Sequence, residues 1–423
     1  MRSSSAFCLL LFVSCLLPFA VLASQDIPAL LARPDVKAAG DALDRDHDRF
    51  VKEMVELVEI PAPSFKETAR GKVLEGKFRE LGLKNVERDA EGNVIGYRPG
   101  AGGGPNLVLA AHLDTVFPEG TPVKVSKDGT RYAAPGIGDD THGLAALLAI
   151  IRALDAAKVR TKGDIIFAGD VGEEGLGNLR GVRYLFEKSP LRQRIKYFIS
   201  LDGTDDSSVT NGGVASKRYH VTFKGPGGHS YGAFGLVNPA FAMGNAVARF
   251  SRTKVPRAPK TTFSVSVFGG GTSVNAIPAS VWMEVDMRSE SPAELAKLER
   301  KFLADVKFAV EAENRARSTR SGTITADPQL VGDRKGGETD PDSPLVRAAM
   351  EITRALERQP ALRYGSTDSN VPIGLGIPAV TIGSGGAGQR AHAPDEWVDV
   401  DKAANLPGMR RALALALAVV EVE

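Results

Sequence analysis

Five segments of the chain hold side chains that can bind a metal or move a proton, and three of them directly follow apolar runs. The first is Ala111-His112-Leu113-Asp114-Thr115, after the run Asn106 to Ala111. Alternate residues of an extended segment point the same way, so Asp114 can reach the ring of His112 and fix its tautomer while the other nitrogen binds metal. Read alone, a His-x-Asp is more often a surface pair. The second, Pro135-Gly136-Ile137-Gly138-Asp139-Asp140-Thr141-His142-Gly143, sets an acidic pair on a glycine turn. Either the pair caps the helix that follows and complements its dipole, or Asp139 bridges two cations and Asp140 shapes the turn. A bridging carboxylate allows two cations to sit roughly 3.5–4 Å apart. In the third, Gly172-Glu173-Glu174-Gly175, the two carboxylates point in opposite directions if the backbone stays extended, so one can bind metal while its neighbour handles a proton. An isolated Glu-Glu is otherwise a solvated surface feature. Asp202 in Leu201-Asp202-Gly203 and His392 in Ala391-His392-Ala393-Pro394-Asp395-Glu396-Trp397 complete the set. Together His112, Asp139, Glu174, Asp202 and His392 offer two imidazoles and three carboxylates, which suit two zinc ions without cysteine.

The elements that must position these groups alternate along the chain. Helical patterns near Arg49 to Leu57 and Ser64 to Leu81 precede short strands, and apolar strands are expected at Asn106 to Ala111, Asp164 to Gly169, Tyr197 to Leu201 and Ala379 to Gly383. The stretch Leu144 to Leu154 is apolar nearly all round and should be a buried helix. This predicts an α/β fold, a mixed open sheet with helices on both faces, in which ligands gather at the carboxyl ends of the strands. The texture changes from Ser216 to Arg334: a strand at Tyr219 to Lys224, a helix at Pro239 to Arg249, strands at Phe263 to Phe268 and Val281 to Arg288, a helix from Pro292 and a closing strand at Thr323 to Ala326. The order βαββαβ predicts a small inserted domain. The expected division is a signal peptide at 1–23, a catalytic domain in two parts at 24–215 and 335–423, and the insertion at 216–334.

Composition narrows the partners. Arg2 precedes the apolar run Ala6 to Ala20 and then Val21-Leu22-Ala23, which suits signal peptidase cleavage after Ala23 and a periplasmic or secreted mature chain with no membrane anchor. Both cysteines, Cys8 and Cys15, fall inside that segment, so His, Asp and Glu must supply any metal ligands. A net charge of +2 gives no electrostatic case for nucleic acid. A small peptide or acyl-amino acid is the expected partner.

With these motifs in this order, the chain resembles the co-catalytic zinc exopeptidases and deacylases, a family that includes peptidase T, glutamate carboxypeptidase, aminoacylase, acetylornithine deacetylase and succinyl-diaminopimelate desuccinylase. The resemblance extends over nearly the whole mature chain and includes Gly225-Pro226-Gly227-Gly228-His229-Ser230, Gly271-Thr272-Ser273-Val274-Asn275-Ala276-Ile277-Pro278 and Asp286-Met287-Arg288 in the insertion. It implies a lid or dimerisation role for the insertion, through which two chains can pair. It also implies one zinc on His112 and Asp202, another on Glu174 and His392, Asp139 between them, Asp114 behind His112, and a cis peptide bond from Asp139 to Asp140. Cobalt or manganese could substitute for zinc. Glu173 becomes the general base for hydrolysis, and His229 either donates to the developing oxyanion or merely packs in its loop. Arg288 can fork onto a substrate carboxylate or form a surface ion pair, and Asn275 can bond the substrate backbone. Thr141-His142-Gly143 departs from the family's common Lys-Gly, which puts substrate assignment in doubt, and His142 is expected in the first helical turn rather than as a sixth ligand. The form of the motifs favours an exopeptidase over an N-acyl-amino-acid deacylase, with the terminus left open. A non-catalytic peptide-binding protein of the same fold is the remote alternative.

Overall fold

The computed structural model describes residues 26–423, so the expected signal segment 1–23 lies outside it. Four parallel strands, Ile165–Asp170, Asn106–His112, Ile195–Leu201 and Ala379–Ile382, lie side by side in that order at the centre of a nine-stranded mixed sheet. Their near-continuous apolar sequences fit strands covered on both faces. The period of two then sorts side chains between two cores. Leu107, Leu109, Ala111 and Phe167 face the helices His142–Ala156 and Lys402–Val420, whereas Val108, Ala110, Ile166 and Phe198 pack with Leu179, Val182, Leu185 and Phe186 on the other face. Twelve of the residues of His142–Ala156 are buried, as its uniform apolarity predicts. The helix Lys402–Val420 is long and apolar enough to cross a membrane by length and composition, yet it lies against the sheet with 78% of that stretch buried.

The segment between residues 215 and 334 builds a second sheet. Strands Thr261–Gly270, Ser280–Ser289, Ala215–Lys224 and Thr325–Arg334 pair antiparallel in that order, and the helices Pro239–Phe250 and Pro292–Ala316 close over one face. Leu295, Leu298, Phe302 and Val306, one stripe of the longer helix, are buried there with Phe223, Phe250 and Met283. The last strand runs well beyond the Thr323 to Ala326 expected from sequence. It is an edge strand with most of its residues exposed, so the apolar alternation that marks a strand is missing, and the edge position also tolerates Pro328. The chain crosses between the sheets at Val214 and again at Lys335-Gly336. These crossings touch: a Cβ on Gly336 would lie 2.5 Å from both Ala215 N and Gly213 O, so only glycine fits.

Buried arginines tie the loops at the strand ends. Arg70 is fully buried and donates to the carbonyls of Ile60 (2.8 Å) and Leu113 (2.8 Å). Arg411, on the C-terminal helix, donates to Asp205 O at 2.8 Å, Gly383 O at 3.1 Å and Ser208 O at 3.2 Å, which fixes the loop after Asp202 to the end of the neighbouring strand. Arg411→Leu leaves three carbonyls without their donor and should cost about 3 kcal/mol of stability. Urea titration of wild type and variant checks this, and an unchanged midpoint would refute it.

Candidate metal centre

The strand carboxyl ends converge on one point. His112, the last residue of its strand, is 1% exposed, and its Nε2 lies 2.9 Å from Asp139 Oδ1. The other oxygen of Asp139 faces His392 Nε2 at 3.1 Å, and the same nitrogen lies 3.0 Å from Glu174 Oε1. Donor atoms of His112, Asp139 and Glu174 all fall within 4.8 Å of one another, close enough to share a metal ion. Asp202 follows the adjacent strand Ile195–Leu201, and its carboxylate interacts electrostatically with Asp139 and His112.

The backbone around these groups is held by residues of other motifs. The peptide bond Asp139–Asp140 is cis. Glu396 gathers the turn before it by accepting from Gly136 N (3.0 Å), Gly138 N (2.7 Å) and Asp139 N (2.8 Å). Asp140, fully buried, accepts from His112 N at 3.0 Å and so shapes the turn. The Nδ1 of His112 meets the carbonyl of Asp114 at 3.0 Å, whereas the Asp114 carboxylate stands 3.6 Å away. That carboxylate is engaged elsewhere, by Ser64 Oγ at 2.6 Å and by the amides of Glu173 and Glu174 at 3.0 Å each. Asp114 therefore orients the ring mainly with its carbonyl and uses its carboxylate to place the Glu-Glu pair. His392 sits in a left-handed conformation, φ 66°, which directs its ring from an exposed loop onto Asp139 and Glu174.

Glu173 and Glu174 diverge. Glu174 faces the histidine, while Glu173 Oε1 accepts from Arg334 Nη1 at 3.1 Å, and Arg334 also bonds the Glu173 carbonyl and Ser366 Oγ (3.0 Å). Arg334 is 6% exposed and Glu173 5%. Glu173 Oε2 has no partner among the described residues. Sequence reasoning missed Arg334, Glu396 and Ser64. Glu396 carried the one available signal, since it lies four positions after His392 in the same motif.

The insertion supplies His229, Asn275 and Arg288, none of which is in hydrogen-bond contact with the cluster. His229 is exposed, and its Nδ1 accepts from Tyr231 N and Gly232 N, both at 3.2 Å, so the ring proton sits on Nε2 and that nitrogen is a donor. The Asn275 carbonyl receives Ser230 N at 2.9 Å, which joins the two tips. Arg288 Nε pairs with Asp286 Oδ2 at 2.8 Å. The same Asp286 binds Arg218, whose Nη1 reaches Gly175 O at 2.7 Å, next to Glu174. His142 is the first residue of its helix and fully buried, bonded to Ser384 and Asn405 and not to the cluster.

The electrostatics test whether cations fit. Burial, and then the charge of Asp139, push Glu174 up to about 8 and Asp202 up to about 7. The bond to Asp139 raises His392 to about 9. Burial works against a charged His112, but Asp114 and Asp139 outweigh it and raise its pKa well above the ordinary value. Carboxylates this crowded cannot all ionise unless positive charge enters among them, and their nitrogen and oxygen donors suit zinc. The fit is good.

Comparison with known proteins agrees with this geometry. Residues 108–417 match the model of the peptidase family M20/M25/M40. Carboxypeptidase G2 of a Pseudomonas species is 28% identical over 229 residues, covering 52% of this chain and 54% of its own length. Succinyl-diaminopimelate desuccinylase of Corynebacterium glutamicum is 24% identical over 359 residues, 82% of this chain and 90% of its own. Among solved structures, the aminopeptidase PepT of Bacillus cereus superposes with a TM-score of 0.69 at 25% identity, covering 89% of this chain and 98% of that one.

Protons and cations compete for the same atoms here. Groups held near 7, 8 and 9 in the metal-free protein must lose protons to bind a cation, so affinity should rise steeply between pH ~6 and pH ~9 and be weak below. Zinc titration against a chromophoric chelator at several pH values checks the sign. Asp139→Ala should lower the affinity of both ions together, and loss of one ion alone would contradict its place between the histidines.

Proposed function

The chain belongs to the peptidase family M20/M25/M40, and from that premise we propose a two-zinc exopeptidase that releases a terminal residue from small peptides. It is a metallohydrolase of amide bonds. The observation that carries the finer reading is Asp139, with one carboxylate oxygen on each histidine, beside a buried glutamate that binds neither. Cations held by His112, Asp202, Asp139, Glu174 and His392 would supply Lewis acidity at the scissile carbonyl and make water acidic near neutral pH.

The chain's own residues divide the remaining tasks. Arg334 holds Glu173 through Oε1 and the carbonyl, which leaves Oε2 to take a proton from the attacking water and return it to the leaving nitrogen. Burial pushes the Glu173 pKa up and Arg334 opposes this, as suits a base that must also act as an acid. Asp114 and Ser64 keep the two glutamates apart. His229, its proton on Nε2, is the donor for the oxyanion once the insertion, or that of a second chain, is brought over the substrate. Tyr231 (88% exposed) and Phe234 (83% exposed) beside it form a surface that such an approach would cover. Likeness to PepT and to carboxypeptidase G2 supports peptide substrates, and likeness to the desuccinylase supports the deacylase alternative. The apolar run Ala6 to Ala20, and the lack of cysteine after Cys15, support export of the mature enzyme.

Purified enzyme should hold close to two zinc equivalents, lose activity to chelators and regain it with zinc or cobalt. Turnover of unblocked di- and tripeptides should exceed that of N-acyl amino acids, and the reverse order would favour the deacylase. Glu173→Gln should cut turnover at least about a hundredfold with metal content unchanged. Zinc loss in that variant would assign Glu173 to the metal.

His229→Ala should lower kcat by roughly 10²–10³ while KM and metal content hold, because the donated bond forms only in the transition state. Near-normal turnover would remove His229 from the site.

A further inference from the structure

Outside the insertion, the two large apolar side chains most exposed among the described residues are Leu176, at 72%, and Phe65, at 61%. Both stand beside the metal centre. Leu176 follows Gly175, the residue after Glu174, and the Gly175 carbonyl accepts from Arg218 of the insertion at 2.7 Å. Phe65 follows Ser64, whose hydroxyl donates to Asp114 at 2.6 Å and lies 3.2 Å from the carbonyl of Glu174. Single exposed apolar residues are ordinary, but two at the edge of one buried polar cluster form a surface that a ligand can cover.

Local structure gives no reason for phenylalanine at position 65. Lys66 N donates to Pro63 O at 2.8 Å, which closes a turn with Phe65 as its third residue, and φ there is 72°. That conformation is the ordinary place of glycine or asparagine, because a Cβ crowds the backbone. A bulky ring in it is strained, and with most of its surface in solvent it recovers little by packing.

The surroundings nonetheless hold the residue in place. Phe65 N donates to Glu67 Oε1 at 2.9 Å, and the same buried oxygen accepts from Arg180 Nη2 at 2.7 Å. The guanidinium of Arg180 also lies over the Phe65 ring, 5.2 Å from its centroid. Arg180 in turn is packed on Gly172, where a Cβ would lie 2.6 Å from its Cγ, and Gly172 immediately precedes Glu173 and Glu174. On the other side, Thr115 N donates to Ala62 O at 2.9 Å, which fastens the loop to the segment of His112 and Asp114. The ring is thus tied to both segments that build the metal centre, in a conformation that favours a different residue. Strain kept at a functional site, with nothing in the fold to repay it, points to a role in binding.

We propose that Phe65 and Leu176 form an apolar wall beside the metal centre and select substrates that carry a bulky apolar group next to the scissile amide. Such a group removes both side chains from water, whereas a small one leaves them wet. The group can be a peptide side chain or the acyl chain of an N-acyl amino acid, which share this chemistry. The inference deepens the peptidase reading and rests on its placement of substrate at the metal centre.

Calorimetry on the zinc-loaded full-length Glu173→Gln protein, in which loss of the base slows turnover, compares Leu-Leu with Ala-Ala and N-hexanoylalanine with N-acetylalanine. Leu-Leu should bind about tenfold or more tighter than Ala-Ala. Phe65→Asn, which suits the positive φ, and Leu176→Ser should each reduce that ratio about threefold or more, and Phe65→Tyr should retain it. Phe65→Asn should also melt no lower than its parent, because it relieves the strain. Equal affinity within both pairs, a ratio that survives both substitutions, or a lower melting temperature in Phe65→Asn would each overturn the proposal. A preference found only for hexanoyl over acetyl, and lost in the same variants, would support the wall while counting against the exopeptidase, so the two failures are told apart.

Discussion

The structure depends on keeping Asp139, Glu174, Asp202 and Glu173 together in a space from which water is largely excluded. Like charges at such range repel strongly, and burial removes the solvent that would screen them. The fold meets this constraint with His112 and His392 on either side of Asp139, with Arg334 on Glu173, and with donor capacity for cations. Each of these supports comes from a different part of the chain. Their meeting is a tertiary event, and it is stable only because the loops that carry them are themselves fixed.

That fixing is done largely by side chains that bond backbone. Glu396 takes three amides of the turn before Asp140, Asp114 takes the amides of both glutamates, and Arg411 takes three carbonyls around the loop of Asp202. A side chain that holds main chain is insensitive to the identity of the residue it holds. It fixes where a strand end stops, so the ligands that follow are placed by backbone and not by one another. A site assembled in this way can keep its shape while empty, which lowers the ordering cost of filling it.

Much of this was legible in the residues. The five ligand candidates sit in short motifs, three of them after apolar runs, and the parallel strands that precede His112, Glu174 and Asp202 were readable as the apolar runs Asn106 to Ala111, Asp164 to Gly169 and Tyr197 to Leu201. The second layer was not readable. Arg334 meets Glu173 from 161 residues away and Glu396 meets the turn from about 260, and one arginine among many has no periodicity to mark it. The strand Thr325–Arg334 was expected only over Thr323 to Ala326 for a related reason: an exposed edge needs no apolar alternation, so its full length shows only in its pairing with Ala215–Lys224. Asp114 shows the limit of a spacing rule. The i, i+2 geometry did bring it beside His112, but the amides of Glu173 and Glu174 compete for the carboxylate and win, and the ring is left with the carbonyl.

Arg334 is the final residue of the last strand of the insertion, immediately before the chain re-enters the main sheet through Lys335-Gly336. Its guanidinium thus spans the pivot between the two sheets, fastened at one end to Glu173 and Ser366. The second crossing is pressed against the first at Gly336, beside Gly213 and Ala215. In mechanical terms the insertion is a long arm on a short axle, and the axle carries the tooth that engages the base. A rotation of the insertion about these crossings would carry Arg334 with it and so act on the carboxylate of Glu173, which ties the element that bears His229 to the base through the covalent chain itself.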